Sequence, residues 1–332
     1  MRRNWILAAL SLVVALGVAE AVLRISGFSF DMAPESVEFG SPKPRAIEAF
    51  YLPDPHLFWV PKSYYRDLAA LEDAPPDLLF LGDSCTELGA YPRMFLERLQ
   101  AANPDREIRG EALGVAGWSS HQGLAQLKRD VIALHPSVVT FYFGWNDHWI
   151  GFGIEDAEIG AMRSPTLPAL GRPRLLQLVF KARIALRSNL DPPERVSLDD
   201  FRANLIEMAR VSRRNDIVPV FLTAPTSHRV GREPEYLTRR HLRDLSELVP
   251  LHQRYVEAVR EAAPAGGAVL CDLAAGFDAL PEGDVRGVYF HGDGIHLRRK
   301  GDSVIAKLLE ACFAGNEELS QLWPGVEEEE AS

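Results

Sequence analysis

The stretch at 77–87 reads DLLFLGDSCTE, four consecutive apolar residues (78–81) running into Gly82-Asp83-Ser84. A short unbroken apolar run predicts a strand buried on both faces, the environment of a parallel sheet. Three similar runs follow, at 138–143 (VVTFYF), 218–223 (VPVFLT) and 268–273 (AVLCDL), and a less apolar one at 107–113 fits an edge strand. Helical patterns separate them. Pro92 stands at the first turn of one. Ser119 or Ser120 can cap the next, where Leu124, Leu127, Val131 and Leu134 share a face. Ser197 can cap a third, with Asp199 and Asp200 in its first turn. Two more cover 251–262 and 301–313. Alternating strands and helices predict a three-layer α/β/α sandwich with a five-stranded parallel sheet and right-handed crossovers.

Open α/β sheets hold reacting groups at the carboxyl ends of their strands. Ser84 ends the first strand and opens a helix, so its hydroxyl can face the cleft beside backbone N–H groups. After the second strand comes Gly114-Val115-Ala116-Gly117-Trp118-Ser119-Ser120, where glycine lets the backbone approach a ligand and aim an N–H at it. Gly144-Trp145-Asn146-Asp147 ends the third, and an Asn carboxamide there can donate to a developing oxyanion. Gly292-Asp293-Gly294-Ile295-His296 follows the fifth. An Asp three residues before a His can hold Nδ1–H through a tight turn and leave Nε2 as a base. Each fragment alone reads equally well as an ordinary turn or cap. Together they supply a nucleophile, a base, its orienting carboxylate and oxyanion donors.

These four fragments, GDS at 82–84, GxxG ending at Gly117, GxND at 144–147 and DxxH at 293–296, resemble the four blocks of the SGNH (GDSL-type) hydrolase superfamily. The resemblance covers roughly 77–315. It implies a flavodoxin-like fold and ester hydrolysis, with Ser84 as nucleophile, His296 as base and Asp293 as its partner. It also implies an oxyanion hole made by the N–H groups of Ser84 and Gly117 and the side chain of Asn146. The family often has Asn two residues before the first glycine of the second block, where Ala112 stands here. No cofactor or metal is expected.

Ahead of this region, residues 5–23 form an apolar run broken only by Ser11 and Glu20. At ~1.5 Å per residue it spans ~28 Å, enough to cross a bilayer core. Arg2 and Arg3 precede it and Arg24 follows, which places the N-terminus in the cytoplasm and the remainder outside. Residues 1–24 thus read as a signal anchor, or as a signal peptide cleaved near Ala19-Glu20-Ala21. Residues 25–76, rich in Pro and aromatics, read as an extended linker packing on the domain through Phe58, Trp59 and Tyr64. The segment at about 148–196 reads as an insertion with a helix at 175–186. Residues 316–332 read as an acidic, solvated tail.

The chain has 332 residues, 47% apolar and 25% charged, which excludes wholesale disorder and a multi-span membrane protein. A net charge of −10 gives no footprint for nucleic acid. Of the cysteines, Cys85 reads as a small buried residue. Cys271 and Cys312 can pair outside the cell, with buried free thiols as the default expectation. Trp118, Trp145, Trp149 and His291 are candidates to line the substrate site. Aromatic faces there suit an O-acetylated envelope or exported polysaccharide. Deacylation of a lipid or lysophospholipid, and acyl transfer to a sugar hydroxyl, use the same residues and remain open. So does a tethered glycan-binding scaffold without activity.

Overall fold

The computed structural model describes residues 2–30, 49–151, 153–163, 173–239, 241–280 and 285–325. Two short strands, β1 (Tyr51–Asp54) and β2 (Phe58–Pro61), form an antiparallel hairpin. The five predicted apolar runs become β3 (Leu78–Gly82), β4 (Gly110–Ala112), β5 (Val138–Tyr142), β6 (Val218–Leu222) and β7 (Val269–Cys271). They lie side by side as β4-β3-β5-β6-β7, every pair parallel. β3, β5 and β6 are buried along their whole length, while β4 at the edge is half-exposed. The strand order reverses between β3 and β5, which opens a crevice beyond their carboxyl ends.

The helices are α1 (Arg2–Ile25), α2 (Tyr64–Asp73), α3 (Ser84–Glu87), α4 (Tyr91–Ala102), α5 (Ser120–Gln126), α6 (Asp156–Arg163) and α7 (Arg174–Leu190). They continue with α8 (Leu198–Arg214), α9 (Leu248–Gly266), α10 (Leu273–Asp278), α11 (Val285–Tyr289), α12 (Arg299–Ala314) and α13 (Glu317–Leu322). Phe80 of β3 meets Tyr91 and Phe95 of α4, and Phe95 meets Phe313 of α12 edge-on at 4.8 Å. α5, α8 and α9 pack together, with Phe201 against Tyr255. Successive strand residues point to opposite faces, so these two groups of helices cover the two sides of the sheet. Ser119 caps α5: its Oγ accepts from His121 N at 3.3 Å, and Gln122 returns to Ser119 N at 2.8 Å. Beyond Gln126 the predicted continuous helix loosens into a π turn (Leu127–Val131) and a 3-10 turn (Ile132–Leu134).

Three expectations change. The segment before the sheet is a hairpin and a helix rather than an extended linker, although residues 31–48 lie outside the described residues. Buried polar groups fold it onto the domain: Asp54 pairs with Arg129 at 2.9 Å and Tyr64 donates to Asp130 at 2.7 Å. The acidic tail does not start at Asn316. Asn316 instead caps α13, and Leu319 and Trp323 are fully buried, Trp323 stacking on Phe313. The Glu run at 327–330 lies outside the described residues. Finally, Cys271 and Cys312 are joined in a disulfide, with Cα atoms 5.6 Å apart, because α12 packs on β7.

The segment expected as an insertion holds two helices, α6 and α7, and an isolated bridge between Ile150 and Glu194 returns the chain to the domain. Glu20 of α1 accepts from the backbone N–H groups of Arg174 and Leu175 at 2.9 and 2.8 Å. A carboxylate there satisfies donors that the first turn of α7 leaves open.

Candidate active site

β3 ends on Gly82, and Asp83 caps α3 by accepting from Cys85 N at 2.8 Å. This tight strand-to-helix turn sets Ser84 at the crevice. Ser84 Oγ lies 2.8 Å from His296 Nε2, and His296 Nδ1 lies 2.7 Å from Asp293 Oδ2. A carboxylate only accepts, so Nδ1 carries the proton and Nε2 is left to accept from the serine hydroxyl. Asp293 Oδ1 accepts from the backbone N–H groups of Ile295 and His296, both at 3.0 Å. Burial opposes the charge on Asp293. The His296 hydrogen bond and these N–H groups outweigh it and bring the carboxyl down to about 2. Burial likewise pulls His296 down, but the Asp293 hydrogen bond and charge raise it above its ordinary value.

The loop after β4 is pinned almost group by group. Val115 N donates to Gly82 O at 3.0 Å, and Ala116 N to Glu87 Oε2 at 2.6 Å. Ala116 O accepts from Trp59 Nε1 at 3.1 Å, and Gly117 O from Arg195 at 2.5 Å. Trp118 N donates to Val115 O, and Ser120 N to Asp147 Oδ1 at 2.8 Å. Gly117 takes a φ of +79°, which favours glycine. Among the described residues the N–H groups of Gly117 and Ser84 have no acceptor, and both residues line one cavity. Asn146 Nδ2 reaches the same place, donating to Trp118 O at 3.0 Å and Asp83 Oδ2 at 3.1 Å.

That cavity measures about 220 Å³. Trp145 and Trp149 form part of its wall together with Leu237 and His241, and the exposed Leu88 and Tyr236 also line it. Two expected lining residues stand elsewhere. Trp118 is fully buried, and its indole donates to Trp59 O at 3.0 Å. His291 is exposed and outside the cavity lining, because the turn that carries His296 inward directs it to solvent. Cys85 is buried beside Asp83; burial and that carboxyl push its thiol well up, which keeps it protonated and unreactive.

Several residues around the site were given no role of their own from the sequence. Arg195, 1% exposed, forms a two-point pair with Asp156 (Nε–Oδ1 3.2 Å, Nη2–Oδ2 2.7 Å) while holding Gly117 O. Asp147 bridges two loops, accepting from Ser120 N and Gly144 N, and burial pushes its carboxyl up to about 7. His228 Nε2 donates to Asp293 O at 2.8 Å and buttresses the turn that carries His296. His252 stacks on Trp145 at 3.8 Å, donates to Ala224 O and faces His148 at 3.2 Å. Burial holds its imidazole at about 4, hence neutral at pH 7.

A family model described as the GDSL-like lipase/acylhydrolase family matches residues 80–304. No curated protein sequence matches the chain. A solved structure of a GDSL-like lipase from Parabacteroides merdae is similar over 72% of this chain and 95% of its own, at 15% identity and a TM-score of 0.50. LAE5, an alpha/beta hydrolase from the metagenome of Lake Arreo, matches over 71% and 93% at 20% identity and a TM-score of 0.48. Axe2, an acetylxylan esterase from Geobacillus stearothermophilus, matches over 73% and 94% at 20% identity and a TM-score of 0.48. At such identities the likeness concerns the fold alone.

Proposed function

Since the chain belongs to the GDSL-like lipase/acylhydrolase family and is a hydrolase acting on ester bonds, we propose that it is a serine esterase for short-acyl, above all O-acetyl, esters. The observation that carries this reading is the continuous contact from Asp293 through His296 to Ser84, at 2.7 and 2.8 Å, beside two N–H groups that have no acceptor among the described residues. His296 Nε2 takes the Ser84 proton as Oγ attacks the ester carbonyl carbon. The tetrahedral oxyanion receives the N–H groups of Ser84 and Gly117. Asn146 Nδ2 adds a third donor by exchanging one of its present partners for the oxyanion. Each such donor contributes ~3 kcal/mol to lowering the barrier. His296 then hands its proton to the departing alcohol, and water resolves the acyl-serine by the same steps in reverse. Asp293 stays ionised throughout and holds the imidazole in the productive tautomer.

The size of the cavity supports a short acyl group. About 220 Å³, walled by Trp145, Trp149 and Leu237, lies below the ~300–1,000 Å³ usual for drug-sized ligands. A short acyl group fits within it, whereas a long lipid chain would have to extend past the rim. The alcohol portion lies toward the open rim, where Tyr236 is 54% exposed and offers a face to a sugar ring. We also read α1 as a membrane anchor with the catalytic domain outside the cytoplasm. Trp5–Ile25 is long and apolar enough to cross a bilayer and is not buried in the protein, and the Cys271–Cys312 disulfide suits an oxidising compartment.

Turnover of 4-nitrophenyl acetate, octanoate and palmitate tests the reading. Acetate should be the best substrate, and Ser84→Ala should abolish turnover and fluorophosphonate labelling while keeping the thermal midpoint. Retained turnover in that variant removes Ser84 from its role, and preference for palmitate removes the short-acyl reading. Failure of the wild type to label favours a scaffold without activity.

A further inference from the structure

We propose that Trp59, on the hairpin ahead of the sheet, is a positioning residue that aims the Gly117 N–H into the active-site cavity. The purpose of that N–H rests on the esterase reading above; its orientation does not.

The peptide joining Ala116 and Gly117 is trans, as are all peptides among the described residues. In a trans peptide the C=O and the N–H point in opposite directions across one rigid plane. Trp59 Nε1 donates to Ala116 O at 3.1 Å, and Trp59 is not among the residues that line the cavity. Holding that oxygen therefore turns the Gly117 N–H toward the cavity. The next peptide is fixed independently, with Arg195 on Gly117 O. Gly117 thus sits between two clamped planes, with a φ of +79°. A Cβ built there would lie 3.1 Å from Trp59 Cζ2, so the indole also closes the space behind the loop. The grip is mutual, since Trp118 Nε1 donates back to Trp59 O at 3.0 Å.

The hairpin carrying Trp59 is itself held firmly. Phe58, a bulky residue, adopts a φ of +68°, a left-handed conformation that persists only where the surroundings over-determine it. Those surroundings are the Asp54–Arg129 pair, the Tyr64–Asp130 hydrogen bond and Tyr51 bonded to Glu87 at 3.1 Å. Glu87 in turn accepts from Ala116 N. The hairpin and the loop thus share one network. Trp59 lies outside the 80–304 region that matches the family, so this chain supplies from its own N-terminal arm a part that the matched region lacks. Without the indole N–H, the 116–117 peptide is free to rotate and present its carbonyl oxygen where negative charge develops.

The test uses the full chain in detergent micelles with Trp59→Phe, which keeps an aromatic ring and removes the donor. Loss of an oxyanion donor lowers kcat by ~100- to 1,000-fold. Misaiming one should lower kcat on 4-nitrophenyl acetate at least tenfold, with KM within twofold. In glycine-15N-labelled protein the Gly117 amide resonance, identified by its disappearance in Gly117→Ala, should shift or split. A purely structural role for Trp59 predicts a lower thermal midpoint with wild-type kcat in the folded fraction, and that result overturns the proposal. Should Trp59→Phe fail to fold, β-(3-benzothienyl)alanine at position 59 keeps the indole shape without the N–H. If the wild type turns over no ester, the esterase reading falls, and the Gly117 resonance alone decides: an unchanged resonance in the donor-less variant refutes the aiming role.

Discussion

Replacing Arg195 by Leu removes the cation of an ion pair whose side chains are 1% and 4% exposed. Asp156 keeps only Ser119 Oγ, at 2.7 Å, as a side-chain donor. Gly117 O loses its side-chain donor, while Gln122 Oε1 loses Arg195 but keeps Ser119 N. Breaking a buried pair on one side costs about 3–5 kcal/mol, most of it the penalty of an uncompensated buried charge. At roughly 2 °C per kcal/mol for a domain of this size, the thermal midpoint should fall by roughly 6–10 °C. Removing both partners leaves no stranded charge, so Arg195→Leu/Asp156→Leu should be more stable than Arg195→Leu alone. The full cycle, read by thermal and urea unfolding in the same detergent, isolates the coupling, expected at ~2 kcal/mol or more. The single variant should also lose kcat, because Gly117 O is no longer held. A single variant that loses under ~1 kcal/mol, or a double variant as unstable as the sum of the singles, refutes the view that this pair is a buried clamp on the loop.

The proposed mechanism needs neutral His296, which Asp293 raises above its ordinary value, so kcat/KM should climb with pH through a midpoint above ~6.5, and Asp293→Asn should move that midpoint down. The Asp293 carboxyl is depressed to about 2 in the folded protein, so its contribution to stability is present above ~4 and is lost as pH falls toward 2; thermal midpoints across that range check it. Reducing the Cys271–Cys312 disulfide, which joins residues 41 apart, should cost about 4 kcal/mol by loop-closure entropy, measured as a lower urea midpoint in dithiothreitol. Gly117→Ala should lower kcat more than it lowers the thermal midpoint, since the φ of +79° and the 3.1 Å approach of Trp59 both force the loop to move; equal kcat in this variant contradicts the tight loop described above.

The five strands and the four strand-end fragments were legible in the sequence because both are local signals. A run such as 78–81 needs burial on two faces wherever it lies. The Asp293-to-His296 turn brings its two side chains together within four residues, through the chain's own hydrogen bonds. Ser119 and Ser197 could be read as caps for the same reason, since a cap and the donors it satisfies are sequence neighbours.

Other features depend on how distant loops meet, and no local pattern encodes that. Trp118, Trp145 and Trp149 look alike in sequence, yet only the last two face the cavity, because the hairpin covers Trp118 from behind. Tyr236, Leu237 and His241 complete the wall from a segment, 227–248, that is rich in Arg, His and Glu. Arg195 meets Gly117 across 78 positions, and Trp59 meets Ala116 across 57. Paired cysteines, a buried arginine and an indole reaching a carbonyl all require two elements to pack at one spacing and angle. The sequence by itself therefore determined the sheet and the identity of the groups proposed to react, since burial and turn chemistry act over a few residues. Only the tertiary structure decided what holds the loop at Gly117 and how small the cavity is, since those follow from packing between segments that the chain keeps far apart.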